Sequence, residues 1–124
     1  MQTVLRELLI SGAEEFGVSL DKEKAERFGL YLKELKRWNR KVNLTSLVED
    51  REIIIKHFLD SLTPLKYLSK QSFILDLGSG GGFPGVPLKI AEPSLKVVLL
   101  ESSKKKNSFL NHITSALSLQ GITA

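Results

Sequence analysis

Five glycines fall in the eight residues from Gly78 to Gly85, within the run Asp76-Leu77-Gly78-Ser79-Gly80-Gly81-Gly82-Phe83-Pro84-Gly85. Glycine reaches positive φ without strain and leaves no Cβ between the backbone and a ligand. The run follows Phe73-Ile74-Leu75-Asp76-Leu77, a short apolar stretch suited to a strand buried on both faces. A loop that joins such a strand to a helix N-terminus presents unpaired N–H groups and the positive end of a helix dipole. In parallel α/β sheets, ligands bind outside these carboxyl ends. Five glycines in a mere connection would cost more backbone entropy than a connection requires. One ligand that fits is a dinucleotide. Gly80-Gly81-Gly82-Phe83-Pro84-Gly85 reads as G-x-G-x-x-G, and Glu101 lies about 20 residues on, where a ribose-binding acid belongs.

A second reading starts at Asp76 and gives D-x-G-x-G-x-G, with Glu101 closing the next strand. This resembles the signature of S-adenosylmethionine-dependent methyltransferases. The resemblance implies that the glycine turn passes the methionine part of the cofactor. It implies that the strand-end carboxylate accepts the ribose hydroxyls, and that Asp76 attracts the cofactor's ammonium directly or through water. An acid beside a pyrophosphate would repel it, so Asp76 favours this reading. Phe83-Pro84 favours it too, because a dinucleotide loop usually runs straight into a helix.

The elements around the loop follow from periodicity. Val4, Leu5, Leu8 and Leu9 form an apolar stripe expected to end near Gly12. Asp21 is placed to cap a longer helix, with Glu23 in its first turn. Phe28, Leu32, Leu35 and Val42 form its apolar face; Lys33, Lys36, Arg37, Arg40 and Lys41 lie opposite. A third helical segment is expected from about Arg51, capped by Asp50, with Ile54, Ile55, Phe58, Leu59 and Leu62 apolar and Pro64 as its limit. After the polar connection Ser69–Ser72, strand and helix signals alternate. Pro87 suits a first helical turn, Val97-Val98-Leu99-Leu100 is a second strand, and Ser102 or Ser103 can cap a helix carrying Phe109, Leu110, Ile113 and Leu117. Gly121 is placed like a helix stop. The pattern is β-α-β-α, which predicts an α/β Rossmann-like domain over residues 72–124 behind an N-terminal helical extension over residues 1–71. Two strands are evident and a third barely begins at Ile122-Thr123-Ala124. Two parallel strands alone make no durable sheet, so the protein is expected to continue beyond Ala124; the alternative is a small domain that borrows a partner's strands.

Composition narrows the functions. The 124 residues are 42% hydrophobic and 26% charged, the balance of a folded soluble domain. The absence of cysteine excludes disulfides, thiolate metal sites and a cysteine nucleophile, and no metal is expected. No apolar run approaches a membrane span and Met1-Gln2-Thr3 does not begin a signal peptide, so a cytoplasmic protein with no membrane partner is expected. A monomer is expected. The net charge of +4 is a mild bias toward acidic partners.

Taken together, Trp38-Asn39-Arg40-Lys41-Val42-Asn43-Leu44-Thr45, His57-Phe58-Leu59-Asp60-Ser61-Leu62, the run Leu75 to Gly85, and Leu100-Glu101-Ser102 resemble the glucose-inhibited division protein B (GidB) family. These are bacterial methyltransferases that modify guanine N7 in small-subunit ribosomal RNA. The likeness runs from about Leu20 to Ala124. It implies a Rossmann-like S-adenosylmethionine-dependent methyltransferase fold, partial in this chain. It implies cofactor contacts at Gly78 and Phe83, loop shaping by Gly80 and Gly82, and ribose binding by Glu101, where many members have aspartate. Family members run on for several further strands that supply the adenine pocket and a substrate-facing arginine, and these have no counterpart here.

Guanine N7 is an exposed lone pair on the major-groove edge and carries no proton to remove. Alignment with a sulfonium cofactor therefore suffices, and no catalytic base is expected. Cytosine-C5 methylation would use a cysteine nucleophile, which the chain lacks. The target should be unstacked, because the RNA major groove is deep and narrow. The expected RNA-facing residues are Lys104, Lys105 and Lys106, which follow Glu101, then Lys36, Arg37 and Arg40, and His57. The partner implied is small-subunit ribosomal RNA or the subunit itself. Three lysines at a helix N-terminus oppose its dipole, a cost that hints at function. Trp38 reads as core rather than as a stacking platform. Asn43, Thr45, Asp60 and Ser61 are candidates to tie the helical part to the glycine loop. A nicotinamide-dependent oxidoreductase and a non-catalytic RNA-binding module stay open as alternatives.

Overall fold

The computed structural model describes all 124 residues. Helix α1 spans Thr3–Glu15 and α2 spans Lys22–Asn39. A continuous but irregular helical stretch follows: α3 (Asp50–Ile53), a π-helical segment (Ile54–Leu59), α4 (Asp60–Leu62) and a 3-10 turn (Thr63–Tyr67). The chain then runs β1 (Phe73–Leu77), α5 (Gly85–Ala91), β2 (Lys96–Leu100), α6 (Lys104–Ala116) and β3 (Ile122–Thr123). No helix is long and apolar enough to cross a membrane.

Local chemistry starts α2 as the spacing predicts. The Asp21 carboxylate accepts the Lys24 N–H at 2.9 Å, and Glu23 sits in the first turn. Phe28, Tyr31, Leu32 and Leu35 are buried. The helix stops at Asn39 because that side chain turns back on the chain. Its Oδ1 accepts the N–H groups of Leu44 (2.8 Å) and Thr45 (3.0 Å), and its Nδ2 donates to the Thr45 carbonyl (2.9 Å). Val42 therefore lies in a loop and not on the helix face.

Three other expectations need correcting. α1 does not end at Gly12 but passes through it; a Cβ there would collide with the side chain of Leu59, so the glycine permits a close helix crossing. Asp50 does not cap α3. Glu49 occupies that position without a side-chain bond, and Asp50 instead accepts from Lys36 Nζ at 2.5 Å. The π-helical segment holds one extra residue per turn, which rotates the stripe. Ile53 and Ile54 are buried while Ile55 is 40% exposed.

The sheet is parallel in the order β1-β2-β3, with Phe73 opposite Lys96, Leu77 opposite Leu100 and Val97 opposite Ile122. Its third strand is the short one that begins at Ile122-Thr123, where the sequence shows a third strand barely starting. Gly121, at φ +73°, does not stop α6; its carbonyl accepts the Val97 N–H at 2.9 Å and opens β3. The stop is Ser118 at φ +53°, with the Leu119 N–H reaching back to the Thr114 carbonyl at 3.0 Å, a helix end usually given to glycine. Within these 124 residues β1 is covered on one face only. Phe73, Leu75 and Leu77 are more than half exposed, whereas Asp76 on the other face is buried. The cause is topological. Right-handed crossovers that step in one direction across a sheet place their helices on one side. α5 and α6 both touch α2, and the three lie on the face of Asp76, Val97, Leu99 and Ile122.

One core of 26 buried residues joins the two parts, from Leu9 and Phe28 in the helices to Leu99 and Ile113 around the sheet. Lys89 is buried inside it at 4% exposure. Its ammonium donates to the carbonyls of Pro93 (2.6 Å) and Leu95, and burial pulls its pKa below the ordinary lysine range. Lys89→Met keeps the aliphatic stem but leaves both carbonyls without a donor. The expected loss is about 1–3 kcal/mol of folding free energy in urea denaturation. An unchanged midpoint would show that water serves those carbonyls equally well.

Candidate functional site

The glycine loop is held at both ends by backbone bonds. The Gly78 N–H donates to the Leu100 carbonyl at 2.7 Å, so the ends of β1 and β2 are tied. Gly82 and Phe83 N–H groups donate to the Ser79 carbonyl (2.8 and 3.2 Å), and Val86 N–H donates to Gly82 (2.8 Å). Gly78 (φ +69°) and Gly82 (φ +99°) adopt left-handed backbone that other residues resist. A Cβ on Gly78 would meet nothing within 4 Å, so the space above it is open.

Two carboxylates frame the loop. Asp76 lies beneath it, 6% exposed, and accepts the Gly85 N–H at 3.0 Å where α5 begins. Burial raises its pKa, and the Gly85 N–H opposes that rise. Glu101 lies at the mouth. Its Oε2 accepts Ser103 N–H at 3.0 Å and its Oε1 accepts Gly80 N–H at 2.8 Å. Those two amides hold its pKa below the usual carboxylate range, with Lys106 adding to the effect. A carboxylate has about four acceptor positions, so roughly two remain on Glu101 for a ligand. Asp76, Gly78, Gly80, Gly82, Phe83 and Glu101 thus share one loop and the adjoining strand end.

The helical part braces this loop from one side. Tyr31 is fully buried and its hydroxyl donates to the Gly81 carbonyl at 2.6 Å. Burial pushes the phenol pKa up, with Asp76 adding to it. His57 stacks on Phe83 with centroids 4.3 Å apart and planes 10° from parallel, and its Nε2 meets Thr45 Oγ1 at 2.6 Å. Ser61 Oγ donates to the His57 carbonyl at 2.5 Å. Thr45 and Ser61 therefore act on His57 and not on the loop itself; Asn43 and Asp60 are exposed. Phe83 joins Pro84 through a cis peptide bond.

The basic residues divide. Lys104 and Lys105 are exposed at the start of α6, directly after Glu101, and Ser103 caps that helix by accepting Lys106 N–H at 3.3 Å. Lys36 is paired with Asp50. Arg37 is forked onto Glu34 at 2.7 and 3.1 Å, and His112 Nε2 meets the same carboxylate at 2.8 Å, so this group clasps α2 to α6. The Arg37 hydrogen bonds are the main reason the Glu34 pKa falls to about 2. Arg40 is exposed and enters no ion pair; it lines, with Lys36, Asn39 and Thr45, a cavity of about 300 Å³. Trp38 packs between α2 and α6 against Phe109 and His112, with a buried Nε1 that has no partner. Sequence reasoning missed Tyr31, Asn39 and Lys89. Tyr31 had a signal, since it lies one turn before Leu35 on the apolar face of α2.

The residues present suit a phosphate-free nucleoside better than a dinucleotide. The loop carries no basic side chain, Asp76 and Glu101 flank it, and Glu101 is held ionised. A pyrophosphate there would face two acids, whereas a cationic ligand with a ribose diol would meet a fitting acceptor.

Comparison with known proteins agrees with this chemistry. Residues 24–124 match the family model described as GidB: rRNA small subunit methyltransferase G. A protein named ribosomal RNA small subunit methyltransferase G from Acetivibrio thermocellus is 47% identical over 120 residues, covering 96% of this chain and 50% of that protein. Proteins of the same name from Geobacter sp. (strain M21) and Roseiflexus castenholzii are also 47% identical, over 119 and 116 residues, covering 96% and 93% of this chain and 55% and 50% of theirs. The chain thus spans about half the length of the curated relatives it matches.

Proposed function

The chain belongs to the GidB family of rRNA small subunit methyltransferases, and on that premise we propose that its glycine loop binds S-adenosylmethionine for methyl transfer to guanine N7 of small-subunit ribosomal RNA. The observation that carries the cofactor reading is Glu101. Its ionised carboxylate is fixed by the Gly80 and Ser103 amides at the open side of the loop and keeps acceptor positions for a ribose diol. When bound, the cofactor supplies a methyl group on a positively charged sulfur, which a nucleophilic nitrogen lone pair takes as the carbon–sulfur bond breaks.

The residues then have separate tasks. Gly78 and Gly80 leave the loop surface free of Cβ atoms. Asp76 fixes the start of α5 from below, and its buried negative charge favours a cationic ligand above. Glu101 orients the ribose. Lys104 and Lys105 contact RNA phosphates beside the cofactor mouth, and Arg40 does so further along the helical part. Lys36 and Arg37 already serve ion pairs, so their share in RNA binding is smaller. No residue removes a proton, because N7 carries none. Positioning supplies the rate. A ribosomal RNA substrate supports reading the protein as cytoplasmic.

Calorimetry tests the cofactor assignment. S-adenosylhomocysteine is expected to bind the chain while NAD gives no heat. Tight NAD binding without a response to S-adenosylhomocysteine would overturn it.

A further inference from the structure

Four rings stack in sequence from the core to the surface. Phe58 lies 5.0 Å from Tyr31 at 25°, Tyr31 lies 5.7 Å from Phe83 at 22°, and Phe83 lies 4.3 Å from His57 at 10°. Phe58 and Tyr31 are fully buried, and His57, at the end, is only partly so. No other aromatic ring of these 124 residues stacks on the imidazole. The ring is nevertheless fixed. Phe83 holds one face, Thr45 holds Nε2, and Thr45 is itself held by Asn39 through two hydrogen bonds. His57 lines a cavity of about 300 Å³ with Lys56, Asp60, Phe83 and Pro84.

We propose that this cavity receives an unstacked guanine of the RNA substrate, with His57 as its stacking platform and Asp60 as the acceptor for its N1–H and N2–H groups. The assignment rests on the methyltransferase reading above and names the specificity residues of the same site.

Unstacked RNA bases are held by stacking on aromatic side chains, histidine included, and by hydrogen bonds along their Watson–Crick edge. A rigid platform loses little entropy when a base lands on it. Burial lowers the His57 pKa, with Asp60 opposing, which favours the neutral imidazole. Asp60 is exposed and takes part in none of the four ion pairs, so its carboxylate is available. Guanine offers that carboxylate two adjacent donors. Adenine offers a lone pair at N1 and would be repelled. Reading that edge leaves N7 on the opposite side of the purine, unobstructed. Phe83 belongs to both the cavity and the glycine loop, so a base stacked here lies beside that loop.

Proton NMR titrations of the chain with guanosine, adenosine and uridine monophosphates test this. Guanosine monophosphate should shift the His57 and Phe83 ring resonances and bind most tightly. His57→Ala should lose at least about fivefold of that affinity, the low end for one base–aromatic stack, whereas His57→Phe should retain it. Asp60→Ala should lower the preference for guanosine over adenosine monophosphate by at least about threefold. Ring resonances that stay still at saturation, His57→Phe binding as weakly as His57→Ala, or an unchanged preference in Asp60→Ala would each overturn the proposal. S-adenosylhomocysteine titrated in parallel separates the two readings. If it binds while guanosine monophosphate leaves His57 unmoved, the base pocket is wrong and the cofactor site stands. If the nucleotide shifts His57 while the homocysteine compound does not bind, the base pocket stands and the loop of these 124 residues does not hold the cofactor by itself.

Discussion

Gly82→Ala should cost about 2–4 kcal/mol of folding stability, the sum of a strained backbone and an overfilled core. The backbone there has φ +99°, outside the region that alanine tolerates. The new Cβ would also lie 2.7 Å from the Tyr31 hydroxyl and 2.8 Å from Val86 Cγ2. Neither neighbour yields easily. The Tyr31 hydroxyl is buried and bonded to the Gly81 carbonyl at 2.6 Å, and moving it would leave a buried polar group unpaired. Val86 is β-branched, with few rotamers open to it. Gly78→Ala is the matched comparison. Its φ of +69° brings strain, but nothing lies within 4 Å of the added carbon. Its expected cost is about 1–2 kcal/mol. Urea denaturation of both variants separates the two contributions, and equal losses would mean that Tyr31 and Val86 move aside freely.

The difference between these glycines marks what the sequence made legible. The loop, its place after a strand and the acid at the end of the next strand are encoded within about 25 residues, where local spacing is informative. The Asp21 cap is local in the same way. The bond from Tyr31 to Gly81 joins residues 50 positions apart and appears only when the helical part folds onto the sheet. Lys89 lies in an apolar stretch, and nothing near it signals that the Pro93 and Leu95 carbonyls will converge on its ammonium. The exposure of one β1 face within these 124 residues has a related cause. Phe-Ile-Leu-Asp-Leu lacks the alternation of a half-exposed strand, so its composition suggests two covered faces. Composition reports what each face is made of, whereas the direction of the crossovers decides what lies against it. The π-helical turn at Ile54–Leu59 is likewise a tertiary effect, since its single extra residue rotates Ile55 outward and Ile53 inward.

Glu101→Ala should weaken S-adenosylhomocysteine binding by at least roughly 100-fold. Each hydrogen bond to a charged group contributes about 1.5–3 kcal/mol, and under the proposed assignment the variant removes the acceptor of both ribose hydroxyls. It also frees the Gly80 and Ser103 N–H groups, so the loop loses one of its ties to the end of β2 and keeps the Gly78–Leu100 bond. Glu101→Gln divides these contributions. The amide keeps one acceptor oxygen of similar reach but has no charge, and a loss of roughly tenfold is expected, with the loop partly held. The pH dependence of the unsubstituted chain adds an independent reading. The folded protein keeps the Glu101 pKa below that of a free carboxylate, so the ionised, binding-competent form persists as pH falls through the ordinary glutamate range. Affinity should therefore hold there and decline only under more acid conditions. Calorimetry across that range and with both variants gives the answer. Unchanged affinity in Glu101→Ala would remove the carboxylate from the cofactor site, leaving it as a brace for the loop, with the ribose held elsewhere.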